Sequence, residues 1–141
     1  YRRALQQRNA GLRQGLSPSV VSAWDQELIE SGLLIDAARR SYVDDDLCLS
    51  SSICAEMLDK DVKCFYLSGW SAEQSFAEAL AGSWERDRMM RATQVGPHRG
   101  ELSVRSDGDG ARHRLSRGQQ KLLSIALVLA QSIVVARSIG R

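Results

Sequence analysis

Apolar positions recur with a helical period over much of this chain. Val21, Trp24, Leu28, Ser31, Ile35, Ala38 and Tyr42 follow one another at alternating spacings of three and four. That is the a/d seam of a helix packed lengthwise on a partner, with Ser31 its one polar member. Gly32 weakens such a helix by up to about 1 kcal/mol relative to alanine. Residues 1–14 contain no breaker except Gly11 and predict a basic helix bearing Arg2, Arg3, Arg8 and Arg13, with Ala4, Leu5 and Leu12 as apolar contacts. Gly15-Leu16-Ser17-Pro18 interrupts the pattern. Ser17 before Pro18 fits an N-cap followed by proline at the first helical position. Between Leu47 and Asp59, Leu49, Ile53 and Met57 recur at i+4 and offer the seam a partner; Asp44-Asp45-Asp46 closes one helix and favours the start of the next. A projecting helical arm and an ordinary helical hairpin both satisfy this spacing.

The period then changes. Val62-Lys63-Cys64-Phe65-Tyr66-Leu67 is β-branched and aromatic and predicts a short strand ended by Ser68-Gly69. A helix is expected from about Ala72 to Met90, with Phe76, Leu80 and Trp84 stacked on one face. Leu102 and Val104 alternate with Ser103 and Arg105, Asp107-Gly108-Asp109-Gly110 is a hairpin turn, and Ala111 to Arg114 is expected to return as a second strand. Arg112 and Arg114 then share one face and His113 the other. The apolar run Leu122 to Ala136 is broken by Ser124, Gln131 and Ser132, short of the roughly 20 apolar residues of a membrane span. It reads as a buried core helix. The expected fold class is α+β, a lobe of antiparallel helices plus short strands. Residues 1–90 form the mainly helical part and 91–141 the part with the hairpin and last helix.

Composition adds little. A chain of 141 residues can bury about two-thirds of its unfolded surface. Its net charge of +2 does not by itself indicate a nucleic-acid partner. The distribution is more telling, because nine Arg and Lys side chains fall between Arg86 and Lys121 against four acids. Such an excess suits a polyanion, or simply a solvated surface. Cys48, Cys54 and Cys64 are odd in number and form no C-x-x-C. They read as buried or free thiols of a reducing compartment. A zinc site built from them with His98 and His113 matches no standard spacing.

The chemistry concentrates in Leu115-Ser116-Arg117-Gly118-Gln119-Gln120-Lys121, which leads straight into the last apolar run. Ser116 is a good N-cap, and the first N–H groups of a helix have no internal partner. Those groups and the positive end of the helix dipole favour a phosphate. Gly118 removes a Cβ that would hold a phosphate away; Gln119 and Gln120 carry amide donors, and Arg117 and Lys121 add charge. Many helices that bind nothing begin the same way.

This heptapeptide resembles the signature motif of ABC-type ATPases in the form used by the RecF DNA-repair family. Tyr1-Arg2-Arg3-Ala4-Leu5-Gln6-Gln7-Arg8-Asn9 is similar to that family's basic helix, and Tyr66-Leu67-Ser68-Gly69-Trp70 to its strand-and-turn segment. Thr93-Gln94-Val95-Gly96-Pro97-His98-Arg99 resembles the Gly-Pro-His-Arg motif shared with SMC-like ATPases. The likeness runs from about residue 1 to residue 131. Two departures stand out. Arg117 replaces the glycine of the general ABC motif, and Gly100 replaces the first of two acids that often follow the motif arginine.

The resemblance implies part of an ABC/SMC-like ATPase head, an incomplete P-loop NTPase domain. No G-x-x-x-x-G-K-[ST] cradle and no apolar strand ending in paired acids is present. In the family the first lies upstream of the matched region and the second downstream. The chain alone is therefore expected not to hydrolyse ATP, whereas the parent protein would be a weak DNA-dependent ATPase. By the same resemblance Ser116, Arg117, Gly118, Gln119 and Gln120 face nucleotide held by a second copy, so that ATP glues a homodimer. Gly96, Pro97, His98 and Arg99 support the site. ATP and Mg2+ are the implied cofactors, bound mainly by parts outside this chain. The implied partners are DNA, with a preference for gaps and single-strand/duplex junctions, and RecR- and RecO-type mediators that help load recombinase. The implied setting is the SOS response in a bacterial cytoplasm, near the nucleoid, with no membrane. DNA contact is expected through phosphates, with Arg86, Arg91 and Arg112 as candidates. The alternative is a helical interaction module that ignores nucleotides. Such a fragment would expose sheet edges and apolar surface and is expected to self-associate.

Overall fold

The computed structural model describes residues 1–46, 55–58 and 60–139. Leu49 and Ile53, offered above as a partner for the seam, lie outside the described residues. The described chain is rich in helices and carries one small antiparallel sheet. It divides into two compact units, one from Tyr1–Ala38 and Leu67–Glu101, the other from Arg39–Tyr66 and Leu102–Arg141. Neither unit is a single stretch of sequence.

The first unit begins with helix Arg2–Gln14. Gly15 ends it in the left-handed region at φ 66°, and the N–H groups of Gly15 and Leu16 return to Leu12 and Gly11 carbonyls. A residue without Cβ takes that conformation without strain. Ser17 is extended and Pro18 opens the short helix Pro18–Ser22, although no Ser17 side-chain cap forms. The chain breaks at Ala23 and Trp24 before helix Asp25–Ser41. The expected seam is therefore not one continuous line. Val21 and Leu28 are buried, but Ala38 is exposed, and the inward line beyond Leu28 runs through Gly32 and Asp36. The reason is Phe76. A Cβ at position 32 would stand 2.6 Å from its Cε1, so this face of the helix presses backbone against an aromatic ring. The core joins Ala4, Leu28, Phe76, Ala79, Leu80 and Val95, with Tyr1, Trp24 and Trp70 packed on it. Each large side chain fully buried there contributes about 1.5–3 kcal/mol.

Helix Phe76–Gly82 starts later than expected, because Ser75 and Glu78 build a capping box. The Glu78 N–H donates to Ser75 Oγ at 3.2 Å and the Ser75 N–H to Glu78 Oε2 at 2.8 Å. The single helix expected to Met90 is two. Ser83 separates Phe76–Gly82 from Trp84–Met90 by turning its hydroxyl back onto the Leu80 carbonyl.

In the second unit helix Asp25–Ser41 passes into a π turn, Tyr42–Asp46. Strand β1 is Val62–Leu67, as expected, and β2 is Glu101–Ser106. The Asp107 N–H donates to Asp61 O at 3.4 Å beside that pair. β3 is only Asp109–Gly110, and the sheet order is β1-β2-β3. Asp107 and Gly108 form the two-residue hairpin loop, both with positive φ (52° and 86°), which matches the right-handed twist of a β-ribbon. The expected return strand is a correction: Ala111–Arg114 is a helical turn. Its Leu115 N–H closes on the Ala111 carbonyl, and burial of Ala111 and Leu115 holds the turn against the core. Arg112, His113 and Arg114 therefore do not alternate across a strand.

Helix Arg117–Ile139 packs Leu123 and Ala126 on Leu58, Val62 and Ala111. It is not the buried core helix expected. Only Leu123, Ala126 and Ala130 of its apolar residues are buried, while Ile125, Val128, Leu129 and Val135 are exposed. Over Arg117–Arg137 it is also long and apolar enough, by length and composition alone, to cross a membrane, contrary to the reading above. Core helices of soluble proteins meet the same criterion.

Candidate functional site

The signature segment sits where the short helical turn hands over to the long helix. Leu115 is extended and buried, which anchors the approach. Ser116 Oγ accepts the Gln119 N–H at 3.3 Å, and the Ser116 N–H donates to Gln119 Oε1 at 2.9 Å. This is a capping box with glutamine at N3. The Gln120 N–H reaches the Ser116 carbonyl, and its side-chain amide donates to the Arg112 and Leu115 carbonyls at 3.1 and 2.9 Å. Gln120 therefore ties the helix to the preceding turn rather than offering its amide outward.

The box satisfies two of the early donors and leaves others open. The N–H groups of Arg117 and Gly118 have no partner among the described residues. A Cβ at Gly118 would meet nothing nearer than Ser116 Oγ at 4.0 Å, so the space above the helix mouth is clear. Arg117, Gly118 and Lys121 are exposed. An anion can thus approach two free N–H groups at the positive end of a 23-residue helix, with two flanking cations. The donor set suits phosphate oxygens. It does not suit Mg2+, since no three His, Cys, Asp or Glu side chains among the described residues converge as metal ligands.

The Gly-Pro-His-Arg segment lies in the first unit. Gly96 has φ 126°, and a Cβ there would sit 2.9 Å from Phe76 Cζ and 3.0 Å from Tyr1 Oη. Pro97–Arg99 makes one 3-10 turn. A Cβ at Gly69 would lie 2.3 Å from the Gly96 carbonyl oxygen, so the Ser68-Gly69-Trp70 turn and this motif require each other's glycine. His98 Nε2 lies 2.9 Å from the Thr93 carbonyl. A carbonyl only accepts, so Nε2 carries the proton and Nδ1 accepts from the Tyr1 hydroxyl at 2.6 Å. Burial holds the His98 pKa below its ordinary value, opposed by the bond to Thr93. Arg99 donates to Gln94 Oε1 at 3.1 Å. Glu101, two residues after the motif arginine, is exposed on β2.

Beneath this motif is a network that sequence reasoning missed. Arg8 counts in the sequence as one of four charges on a basic helix, yet it is 1% exposed. It donates to Asp25 Oδ1 and Asp87 Oδ2, each at 2.7 Å, and to Thr93 Oγ1 at 2.8 Å. Asn9 Oδ1 accepts from the Thr93 N–H and hydroxyl, and Asp87 Oδ1 accepts from the Gln94 N–H. The one available signal was that Arg8 falls on the apolar line of Ala4, Leu5 and Leu12. The candidate DNA-binding residues Arg86, Arg91 and Arg112 are all exposed. The first two stand in one unit and the third in the other.

No family model matches the chain. Curated relatives do. A DNA replication and repair protein RecF of Yersinia pseudotuberculosis (serotype IB, strain PB1/+) is 41% identical over 99% of this chain and 39% of its own length. A RecF of Thioalkalivibrio sulfidiphilus is 40% identical over the same shares, and a RecF of Pseudomonas aeruginosa (strain LESB58) 41% over 96% and 37%. Among solved structures, that of the recombination mediator protein RecF-ATPrS in the RecFOR pathway superposes with TM-score 0.91 at 23% identity, covering 100% of this chain and 42% of that one. The RecF-ATP structure gives 0.90 at 22%. The chain spans about two fifths of the length of the curated relatives it matches.

Proposed function

This chain is RecF-like along 99% of its length, and from that premise we propose that it supplies the signature half of a composite ATP site in a DNA replication and repair protein. The observation that carries the reading is the mouth of helix Arg117–Ile139. There the Ser116–Gln119 box leaves the Arg117 and Gly118 N–H groups free beneath open space.

Donors fixed by backbone geometry need no reorganisation as charge builds on a γ-phosphate, and no proton leaves the protein. Ser116 orients the helix mouth, Gly118 lets the phosphate approach, and Arg117 and Lys121 add charge. Gln119 contributes its remaining amide hydrogens, since its oxygen is committed to the Ser116 N–H. Phosphate and base held by a second copy would complete the site, so ATP stabilises a homodimer by mass action and hydrolysis releases it. Gly96, Pro97, His98 and Arg99 are the supporting motif. When bound, Mg2+ would screen the phosphate charge through ligands supplied by other parts of the protein.

In this reading Arg86, Arg91 and Arg112 contact DNA phosphates at gaps or junctions, in a bacterial cytoplasm. RecR- and RecO-type mediators are the partners that help load recombinase. Ser116→Arg in the intact RecF-like protein is the test. Sedimentation with and without ATP is expected to lose the ATP-induced dimer. A dimer that forms as in the wild type overturns the proposal.

A further inference from the structure

The first unit holds a cavity of about 460 Å3, bordered by parts of the strand-and-turn and Gly-Pro-His-Arg segments and by Arg86, whose proposed contact with DNA phosphate this inference makes specific. It is framed by the Gly69–Trp70–Ser71 turn on one side and by Ala79, Gly82 and Arg86 on the other. Its size falls within the range of small-molecule sites, roughly 300–1,000 Å3.

Three features give it chemical character. Trp70 lines the cavity, and Phe76 stacks on the indole at 4.6 Å with an interplanar angle of 19°. Phe76 is 1% exposed and wedged against Gly32 and Gly96, so the indole is a plate fixed from behind by the core. Arg86 brings a guanidinium that makes no ion pair among the described residues, unlike Arg88 beside it, which pairs with Glu85 at 3.0 Å. Gln74 adds a side-chain amide with no partner among the described residues, able to donate or accept. Gly82 lines the wall, and a Cβ there would meet nothing within 4 Å.

A fixed aromatic plate, an uncommitted cation and an amide in one concave space match a flat polar ring joined to an anion. We infer that this cavity binds a nucleotide unit, its base against Trp70 and its phosphate on Arg86. Base–aromatic stacking is tolerant of sequence, because every base presents a π-face, and an arginine fork suits phosphate. The unit can come from an unpaired or terminal residue of a strand or from a free nucleotide. The inference stands apart from the signature segment and does not need ATP.

The probe is a short 5′-phosphorylated oligothymidylate with 5-iododeoxyuridine at its 5′ end, photocrosslinked to the 141-residue chain. Thymidine monophosphate and inorganic phosphate serve as competitors. Crosslinking is expected in the peptide that carries Trp70. Gly82→Leu, which fills the cavity from a wall with room for it, and Arg86→Ala are each expected to weaken binding about tenfold or more. Arg86→Ala is also expected to lower the salt slope by about 1. Competition by thymidine monophosphate as strong as by unlabelled strand identifies a free nucleotide as the ligand, and competition by strand alone identifies an unpaired residue. Both support the inference. Crosslinking elsewhere, wild-type affinity in both variants, or inorganic phosphate competing as well as the nucleotide overturns it. Ser116→Arg is expected to leave the crosslink intact, whatever becomes of ATP-induced dimers; its loss would assign the signal to the signature segment and overturn the inference too.

Discussion

Arg8 and Asp87, 79 positions apart, form an ion pair at 2.7 Å with side chains 1% and 0% exposed. Two charges leave water at a cost that further hydrogen bonds offset, and here several form. Asp87 also accepts from the Ser83 hydroxyl and the Gln94 N–H, while Arg8 also donates to Asp25 and Thr93. Removing one partner strands the other. Arg8→Ala or Asp87→Ala is expected to cost about 3–5 kcal/mol in urea unfolding, whereas an apolar pair such as Arg8→Met with Asp87→Leu is expected to cost less than either. A double variant as unstable as the sum of the singles contradicts this.

Gly32 and Gly82 both lie in helices, where alanine is ordinarily favoured by about 1 kcal/mol. At position 82 the new Cβ has room, so Gly82→Ala is expected to raise stability by up to that amount. At position 32 it would stand 2.6 Å from Phe76 Cε1, and Phe76 is held between Trp70 and Gly96. Overpacking costs about 1–3 kcal/mol. Gly32→Ala is expected to lower Tm although it raises helix propensity, and opposite signs for the two variants are the readout.

Stability is expected to fall as the pH drops below about 6.5, the ordinary histidine value. Burial lowers the folded-state pKa of His98, so between the folded and unfolded values the unfolded chain binds more protons. The contribution of neutral His98 is complete above the unfolded pKa and is lost as pH falls through the folded one. Tm measured between pH 5 and pH 8 is expected to decline on the acid side, and His98→Gln to flatten that decline. A decline of the same size in His98→Gln assigns it to other groups.

Ser116 both caps a helix and is proposed to face phosphate, so its substitution alone confounds the two roles. Gly118 separates them. Gly118→Ala leaves the Ser116–Gln119 box intact and favours the helix, yet its methyl group enters the space a phosphate would use. The fold is expected to be as stable or more so, with ATP-induced association of the intact protein weakened about tenfold. Unchanged association places the phosphate elsewhere.

The C-terminal helix is expected to make the 141-residue chain associate with itself. Ile125 and Val128 are 51% and 61% exposed on it, and exposed apolar surface that is contiguous drives association. Ile125→Glu with Val128→Glu is expected to shift light scattering toward monomer without lowering Tm. A wild-type chain that is monomeric at the concentrations used rules this out.

The strand Val62–Leu67, the Asp-Gly hairpin and the capped mouth of the last helix were legible because each is set by neighbours in sequence. What was not legible depends on contacts made far along the chain. The 3-4 spacing through Val21 and Tyr42 predicts one seam, but the position of Phe76 turns the helix so that Gly32, not a large residue, meets the core. Arg8 looks like one more charge on a basic helix until Asp87 and Thr93 arrive from beyond residue 80. Ala111–Arg114 alternates like a strand, yet a four-residue segment is short enough for burial of Ala111 and Leu115 to choose a turn instead. At the signature segment the capping role of Ser116 follows from the sequence, whereas the commitment of Gln120 to two carbonyls does not.

The interleaving of the two units has a consequence for the order of events during synthesis. The first 38 residues cannot complete their core when they leave the ribosome, because Phe76, Leu80 and Val95 come later and Tyr1 waits for His98. The second unit is begun and left open in the same way, since Val62 packs on Leu123 and Ala126. The nascent chain therefore carries two half-built cores at once, with long loops left to close after residue 95 in one and residue 126 in the other, a situation that slows folding and exposes apolar surface.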